Sequence, residues 1–197
     1  MPRTKDTSLH DQRREEILRA AACVFKAKGF HLARTEDICA EAALSAGTVF
    51  RYFPNKRAMI MAIAEIEFER YKQEISLLAT KDGLQWLTRI TAAELSELLL
   101  PTAFDLGADS WLELARDAES KKRLLAFDKK MRATLAQELA RGQAEGWVRK
   151  SLDPIGAANV ILAVFSGLDF DHDIGATIEL RATARALADL FRNFILV

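Results

Sequence analysis

The stretch TEDICAEAALSAGTVFRYFPNK, residues 35–56, limits what this chain can fold into more than any other. Thr35 is a good N-cap residue type, and Glu36 and Asp37 place negative charge on the first turn, where the helix dipole favours it. Ile38 and Ala42 share one face at i, i+4 spacing. Ala43-Leu44 interrupts that pattern, and Ser45 can cap a new helix carrying Ala46, Gly47, Thr48, Val49, Phe50 and Arg51. Pro54-Asn55 closes the unit and Lys56 opens a longer helix. Two short helices joined by a turn of three or four residues make a helix-turn-helix, which offers its second helix to the DNA major groove.

The run from Ala40 to Lys56 resembles the signature of TetR-family (tetracycline-repressor-like) transcriptional regulators. The preceding pattern of Ile17, Ala21, Phe25, Gly29, Phe30, Thr35, Ile38 and Ala40 fits the same family. The likeness covers roughly the first third of the chain; the remainder matches only in length and helical character. Two positions depart from it. Ala43 stands where the family usually has Gly, and if that position needs positive φ, Ala costs about 1 kcal/mol relative to Gly. Phe50 stands where Tyr is usual, so a hydroxyl contact to phosphate is lost and the ring is left for packing or for a thymine methyl.

The DNA-binding residues expected are Thr35, Ser45, Ala46, Gly47, Thr48, Phe50, Arg51, Tyr52 and Lys56. Small residues at 45–48 allow close approach to the groove, and Thr48 can touch a base edge or a phosphate. Arg51 is the only long cation on the helix and can reach guanine O6/N7 or hold phosphate. Thr35, Tyr52 and Lys56 are expected as phosphate clamps, with ring packing an equal alternative for Tyr52. Val49 and Phe53 are assigned to the core.

Charge agrees with this division. The formal net charge is zero, which excludes a general polyanion binder, yet residues 1–57 hold 11 Lys and Arg against 7 Asp and Glu, and the rest hold 17 against 21. A cationic N-terminal part suits a phosphate backbone and an acidic remainder does not. The basic arm of Arg3 and Lys5 can reach DNA or simply be a disordered terminus. Cys23 and Cys39 make no disulfide framework; both are expected as buried, inert thiols, with a redox pair as the alternative. With no signal peptide and no apolar run of about 18 residues, a cytoplasmic location is expected.

Helical periodicity continues throughout, and no strand-like alternation appears, so the fold class expected is all-α. Residues 9–28 form a first helix ended by Gly29, residues 56–80 one long helix broken at Lys81-Asp82-Gly83, and residues 84–100 another stopped by Pro101. A short helix near Ser110 and a long one over residues 120–145 follow. Asp153-Pro154 starts a helix apolar on every side to Leu168, and a last helix spans residues 178–194. The domains expected are residues 1–55, a three-helix helix-turn-helix domain, and residues 56–197, a helical ligand-binding and dimerisation domain.

The cluster Asp169-Phe170-Asp171-His172-Asp173 starts like a calcium loop but places Ile174 and Leu180 where that loop needs Gly and Glu, so no metal site is expected. His10, His31 and His172 are scattered and no nucleophile elbow or phosphate loop occurs, so neither an enzyme nor a cofactor is expected. The resemblance implies a ligand pocket, for which Trp86, Phe104, Trp111, Phe127, Met131 and Phe165 are candidate lining residues, core packing being the alternative for each. It also implies a homodimer, with Val160, Val164, Leu168, Leu187, Phe191 and Phe194 at the interface. The function implied is a repressor released from a palindromic operator by a small hydrophobic ligand. A DNA-bound adaptor that recruits a protein without a ligand is the alternative.

Overall fold

The computed structural model describes residues 7–197, so Arg3 and Lys5 lie outside the described residues. Ten helices carry the described chain: α1 (Thr7–Leu32), α2 (Thr35–Glu41), α3 (Ala46–Tyr52), α4 (Lys56–Leu78), α5 (Lys81–Leu87), α6 (Ala92–Leu98), α7 (Gly107–Arg116), α8 (Ala118–Glu145), α9 (Pro154–Asp173) and α10 (Leu180–Ile195). The fold is all-α. Among the described residues the only bridge between extended segments pairs Val148 with Leu196 in antiparallel sense. The chain divides into two compact units; the first runs to Glu69 and takes in Pro101–Lys121, and the second holds Arg70–Leu100 and Lys122–Val197.

The first unit is built on α1. Its stripe of Ile17, Leu18, Ala21 and Phe25 is fully buried, and Ile38 from α2 and Val49 from α3 close over it. Met59, Ile60, Ile63 and Ala64 at the start of α4 complete this core, so the sequence-based boundary at residue 55 falls inside the unit. Leu106 and Leu114 join the same core from beyond the second unit's first segment, Arg70–Leu100. Gly29 interrupts α1 with φ 73° and ψ 158°, a conformation that side chains other than hydrogen strongly resist. Charged contacts tie the segment around α7 to the first helices: Lys26 pairs with Asp105, His31 Nε2 meets Glu113 at 2.9 Å, and Arg57 meets Asp117 at 2.6 Å. The cations of these pairs are exposed and only their carboxylates half-buried, so burial of Leu106 and Leu114 contributes most of the attachment.

The second unit gathers Leu84, Leu87, Leu95, Leu135, Leu139, Ala158, Ile161, Phe191 and Ile195 into its own core. The single helix expected over residues 84–100 is two helices. Thr91 caps α6 by accepting from Glu94 N–H at 3.3 Å, while the Glu94 carboxylate accepts from Thr91 N–H at 2.8 Å. That reciprocal box ends one helix direction and starts another. The break placed at Lys81-Asp82-Gly83 lies just before them: Thr80 caps α5, which opens at Lys81. Gly83 is needed there because a Cβ would sit 2.3 Å from the Leu77 carbonyl oxygen. Near the C-terminus, Arg149 N–H donates to Ile195 O at 3.0 Å and its guanidinium to Leu196 O at 2.9 Å.

Helix α9 continues past Leu168 to Asp173, so the segment read as a calcium-like loop forms its last turn. By length and composition α9 is long and apolar enough to cross a membrane. One side of it, Ala157, Ala158 and Ile161, is nonetheless buried in the second unit's own core.

Candidate nucleic-acid interface

The turn between α2 and α3 has a defined geometry. Leu44 N–H donates to Cys39 O at 2.9 Å and Ala43 N–H to Ala40 O at 3.1 Å. This paired 6→1 and 5→2 arrangement ends a helix with its penultimate residue left-handed, and Ala43 accordingly has φ 52°. The backbone conformation usual for glycine is thus kept with an alanine. Ser45 then caps α3, its Oγ accepting from Thr48 N–H at 3.2 Å and lying 2.9 Å from Thr48 Oγ1.

At the leading end of α3, Ser45, Ala46 and Gly47 are exposed, and a Cβ added at Gly47 would meet nothing within 4 Å. Phe50 is 47% exposed, a large apolar ring facing water beside Arg51, whose guanidinium lies 5.6 Å from the Tyr52 ring centre. Tyr52 is half-buried and its ring lies tilted against His10 with centres 4.8 Å apart, so its ring packs while Arg51 stays exposed. Val49 and Phe53 are core residues.

Two roles differ from the sequence reading. Thr35 is the first residue of α2 and not its cap; Arg34 occupies the cap, and its N–H donates to Asp37 Oδ2 at 3.0 Å. A hydrogen bond from the Lys28 ammonium, then that backbone bond, holds the Asp37 carboxyl below its ordinary pKa. Lys56 donates to the carbonyls of Phe30, His31 and Ala33 at 2.5, 3.3 and 2.9 Å, and sits 4.6 Å above the Phe30 ring. Three carbonyls match the three protons of an ammonium, so Lys56 locks the end of α1 to the start of α4. Arg34, exposed at the mouth of α2, is a cation the sequence reading passed over; its signal was its place one residue before the acidic first turn. Cys23, expected buried, is exposed, and Cys39 is half-buried. Partial burial and then Glu41 raise the Cys23 thiol pKa, and partial burial and then Glu36 raise that of Cys39; both changes disfavour the reactive thiolate.

The other sequence candidates divide between the units. Phe104 and Trp111 pack in the first, Phe104 under the Arg19 guanidinium at 5.7 Å and Trp111 against Phe68 at 5.6 Å. Trp86 and Phe165 pack against the second core; Trp86 Nε1 donates to Glu94 at 2.7 Å, and Phe165 stacks on Phe191 at 6.2 Å. Met131 is buried and Phe127 half-buried, both in the second unit. On α9, Val160 is 43% exposed while Val164 and Leu168 are half-buried. Leu187 and Phe191 are enclosed by their own chain, with Phe191 at 0% exposure, and Phe194 is half-buried. A fully enclosed ring has no surface left for a second subunit. The exposed side of α10 carries Ala182, Ala186 and Leu190 instead.

Small side chains leave the backbone of α3 bare at its leading turn, the shape a helix needs to enter a major groove. The class this defines is a helix-turn-helix, DNA-binding transcriptional regulator. Comparison with known proteins agrees. Residues 17–63 match the family model described as bacterial regulatory proteins, tetR family. The chain is 26% identical over 140 residues, 68% of each protein, to the uncharacterized HTH-type transcriptional regulator YfiR of Bacillus subtilis (strain 168). It is 42% identical over 57 residues, 29% of each, to the HTH-type transcriptional regulator UidR of Escherichia coli (strain K12). Its fold matches that of a putative transcriptional regulator from Saccharomonospora viridis in complex with choline, with TM-score 0.74 and 20% identity over 95% of this chain and 99% of that one. Residues 17–63 thus carry a tetR-family regulatory domain, within a chain whose fold over most of its length is that of such a regulator.

Proposed function

We propose that this protein is a cytoplasmic, homodimeric repressor, released from a palindromic operator by a small hydrophobic molecule. The observation that carries the DNA part is the open leading turn of α3, where Gly47 and its neighbours leave room for a base pair edge. Ser45, Ala46, Gly47 and Thr48 approach the groove; Phe50 offers an apolar contact, and Arg51 with Arg34 and Thr35 holds phosphate. Tyr52 positions Arg51 through its ring. Lys56 acts through the fold, by fixing α1 to α4.

Sensing a small molecule is typical of the family, and the choline bound by the Saccharomonospora viridis protein supports an effector over an adaptor that needs none. In the second unit Trp86, Phe127, Met131 and Phe165 are the aromatic and soft residues for such a pocket; Phe104 and Trp111 serve the core of the first. Release from DNA requires that the effector bind the DNA-incompetent state more tightly than the competent one. Helix α4 runs unbroken from Lys56 at the exit of the helix-turn-helix to Leu78, a continuous element through which that bias can act.

Footprinting on the DNA upstream of the coding region tests the reading: a symmetric protected palindrome is expected, and an asymmetric single site would refute the dimeric operator. On that DNA, Arg51→Ala should lower the slope of log affinity against log salt by about 1. An unchanged slope would remove Arg51 from the phosphate contacts. Lys56→Ala should instead cost about 1–3 kcal/mol of stability, the cost of carbonyls left without their partner, read as a lower unfolding midpoint.

A further inference from the structure

One cleft in the second unit concentrates positive charge. It is an open groove of about 460 Å³ between the α5–α6 connection and α10, lined by Arg89, Arg181, Arg185 and Arg192 with a single carboxylate, Asp189. The chain as a whole is neutral, and residues 58–197 hold 17 basic against 21 acidic side chains, so this concentration runs against its background. Arg192 is held in place: Nη1 donates to Asp189 Oδ1 and Nη2 to Thr88 O, each at 2.9 Å. Arg181 and Arg185, one turn apart on α10, have no hydrogen-bond or ion-pair partner among the described residues. Arg89 has a longer-range attraction to Glu94. The floor between them is apolar and closed, with Ile90, Ala184 and Ala188 buried.

We propose that this cleft binds a small organic anion, a carboxylate or phosphate ester carrying a short apolar body. Guanidinium forks match the paired oxygens of both anions. The short apolar floor of Ile90, Ala184 and Ala188 meets the apolar body along one side, leaving the rest of the ligand in solvent. The site lies apart from α3 in the chain, and the proposal does not rest on the operator reading.

Calorimetric titration of the full-length protein with phenyl phosphate, at low salt, tests it. Saturable binding is expected, weaker for inorganic phosphate, which lacks the apolar body. Arg181→Ala and Arg185→Ala should each weaken binding by about ten-fold, the loss of one charge-assisted hydrogen-bonding group. Thermal unfolding without ligand should be unchanged, because both side chains are exposed. Asp189→Asn should strengthen binding by removing the only lining carboxylate. Absence of saturable binding at millimolar phenyl phosphate, or binding that the two arginine variants leave intact, would overturn the proposal. So would a variant that dissociates the dimer, which would assign the cleft to the contact between subunits. Operator affinity measured on the same variants keeps this test separate from the repressor reading.

Discussion

Ala43 holds a φ of 52°, a region that costs an L-residue roughly 1 kcal/mol or more against glycine. The two helix-ending hydrogen bonds from Ala43 and Leu44 keep it there, and its side chain is exposed, so the methyl group packs on nothing that would offset the strain. Replacing it with glycine removes the strain and adds back some unfolded-state entropy, the smaller of the two terms. Ala43→Gly should therefore stabilise the protein by up to about 1 kcal/mol in urea unfolding; an unchanged or lower midpoint would show that the turn is not strained. Gly47 poses the opposite case. Nothing lies within 4 Å of the Cβ position there, and an alanine on an exposed helix is favoured over glycine by about 0.5–1 kcal/mol. Gly47→Ala should thus hold or raise the unfolding midpoint while weakening operator binding in a fluorescence anisotropy titration. Stability and affinity moving together would mean that Gly47 shapes the fold and does not approach the DNA.

Between helices, Asp117 joins three elements at once. It caps α8 through Ser120, whose Oγ and N–H donate to Asp117 Oδ2 at 2.7 and 2.9 Å, and it pairs with Arg57 of α4 at 2.6 Å. The Ser120 hydroxyl first, its backbone N–H next, and then Arg57 hold the carboxyl down to about 2. The unfolded value is about 3.9, so the contribution is complete above pH ~4 and is lost as pH falls through the folded value. Asp117→Asn should lower the melting temperature at neutral pH, and the gap to the unaltered protein should close as pH approaches 2; a gap that persists there would exclude the carboxylate charge as its source. The helix-turn-helix was legible because its signals, from Thr35 to Lys56, are local: a cap at Ser45, small residues after it, and Pro54 at the exit. The α5–α6 break was missed because Leu84, Leu87, Leu95 and Leu98 share a helical period, and only the Thr91–Glu94 box betrays the bend. The carbonyl partners of Lys56 were not legible, because no sequence pattern marks backbone acceptors. Leu106 and Leu114 gave no sign of which core they join, since that contact crosses dozens of residues.

For the whole molecule, periodicity tells which residues share a helix face but not whether that face meets its own core or another chain. That is why Leu187 and Phe191 were expected at the interface and are found inside. The surface left open is on the other sides of α9 and α10. Val160, Ala163, Gly167, Phe170 and Ile174 recur three and four residues apart along α9 and are all exposed, as are Ala182, Ala186 and Leu190 on α10. This stripe is where we propose the subunit contact of the dimer to lie. Its small residues let two helices approach closely, and two helices from each of two subunits make a four-helix bundle about a two-fold axis. For the homodimeric repressor proposed above, the same surface would set two recognition helices on two half-sites at once. Val160→Glu and Leu190→Glu put a charge into that stripe at positions with no role in the chain's own core, and each should yield a folded monomer in sedimentation, with unfolding cooperativity retained and operator affinity largely lost. Phe191→Ala, by contrast, removes a fully enclosed ring and should cost about 3–5 kcal/mol of subunit stability, seen as a lower urea midpoint. If Val160→Glu and Leu190→Glu both remain dimeric, the subunit contact lies elsewhere. If Phe191→Ala dissociates the dimer without lowering the midpoint, the ring faces a partner after all.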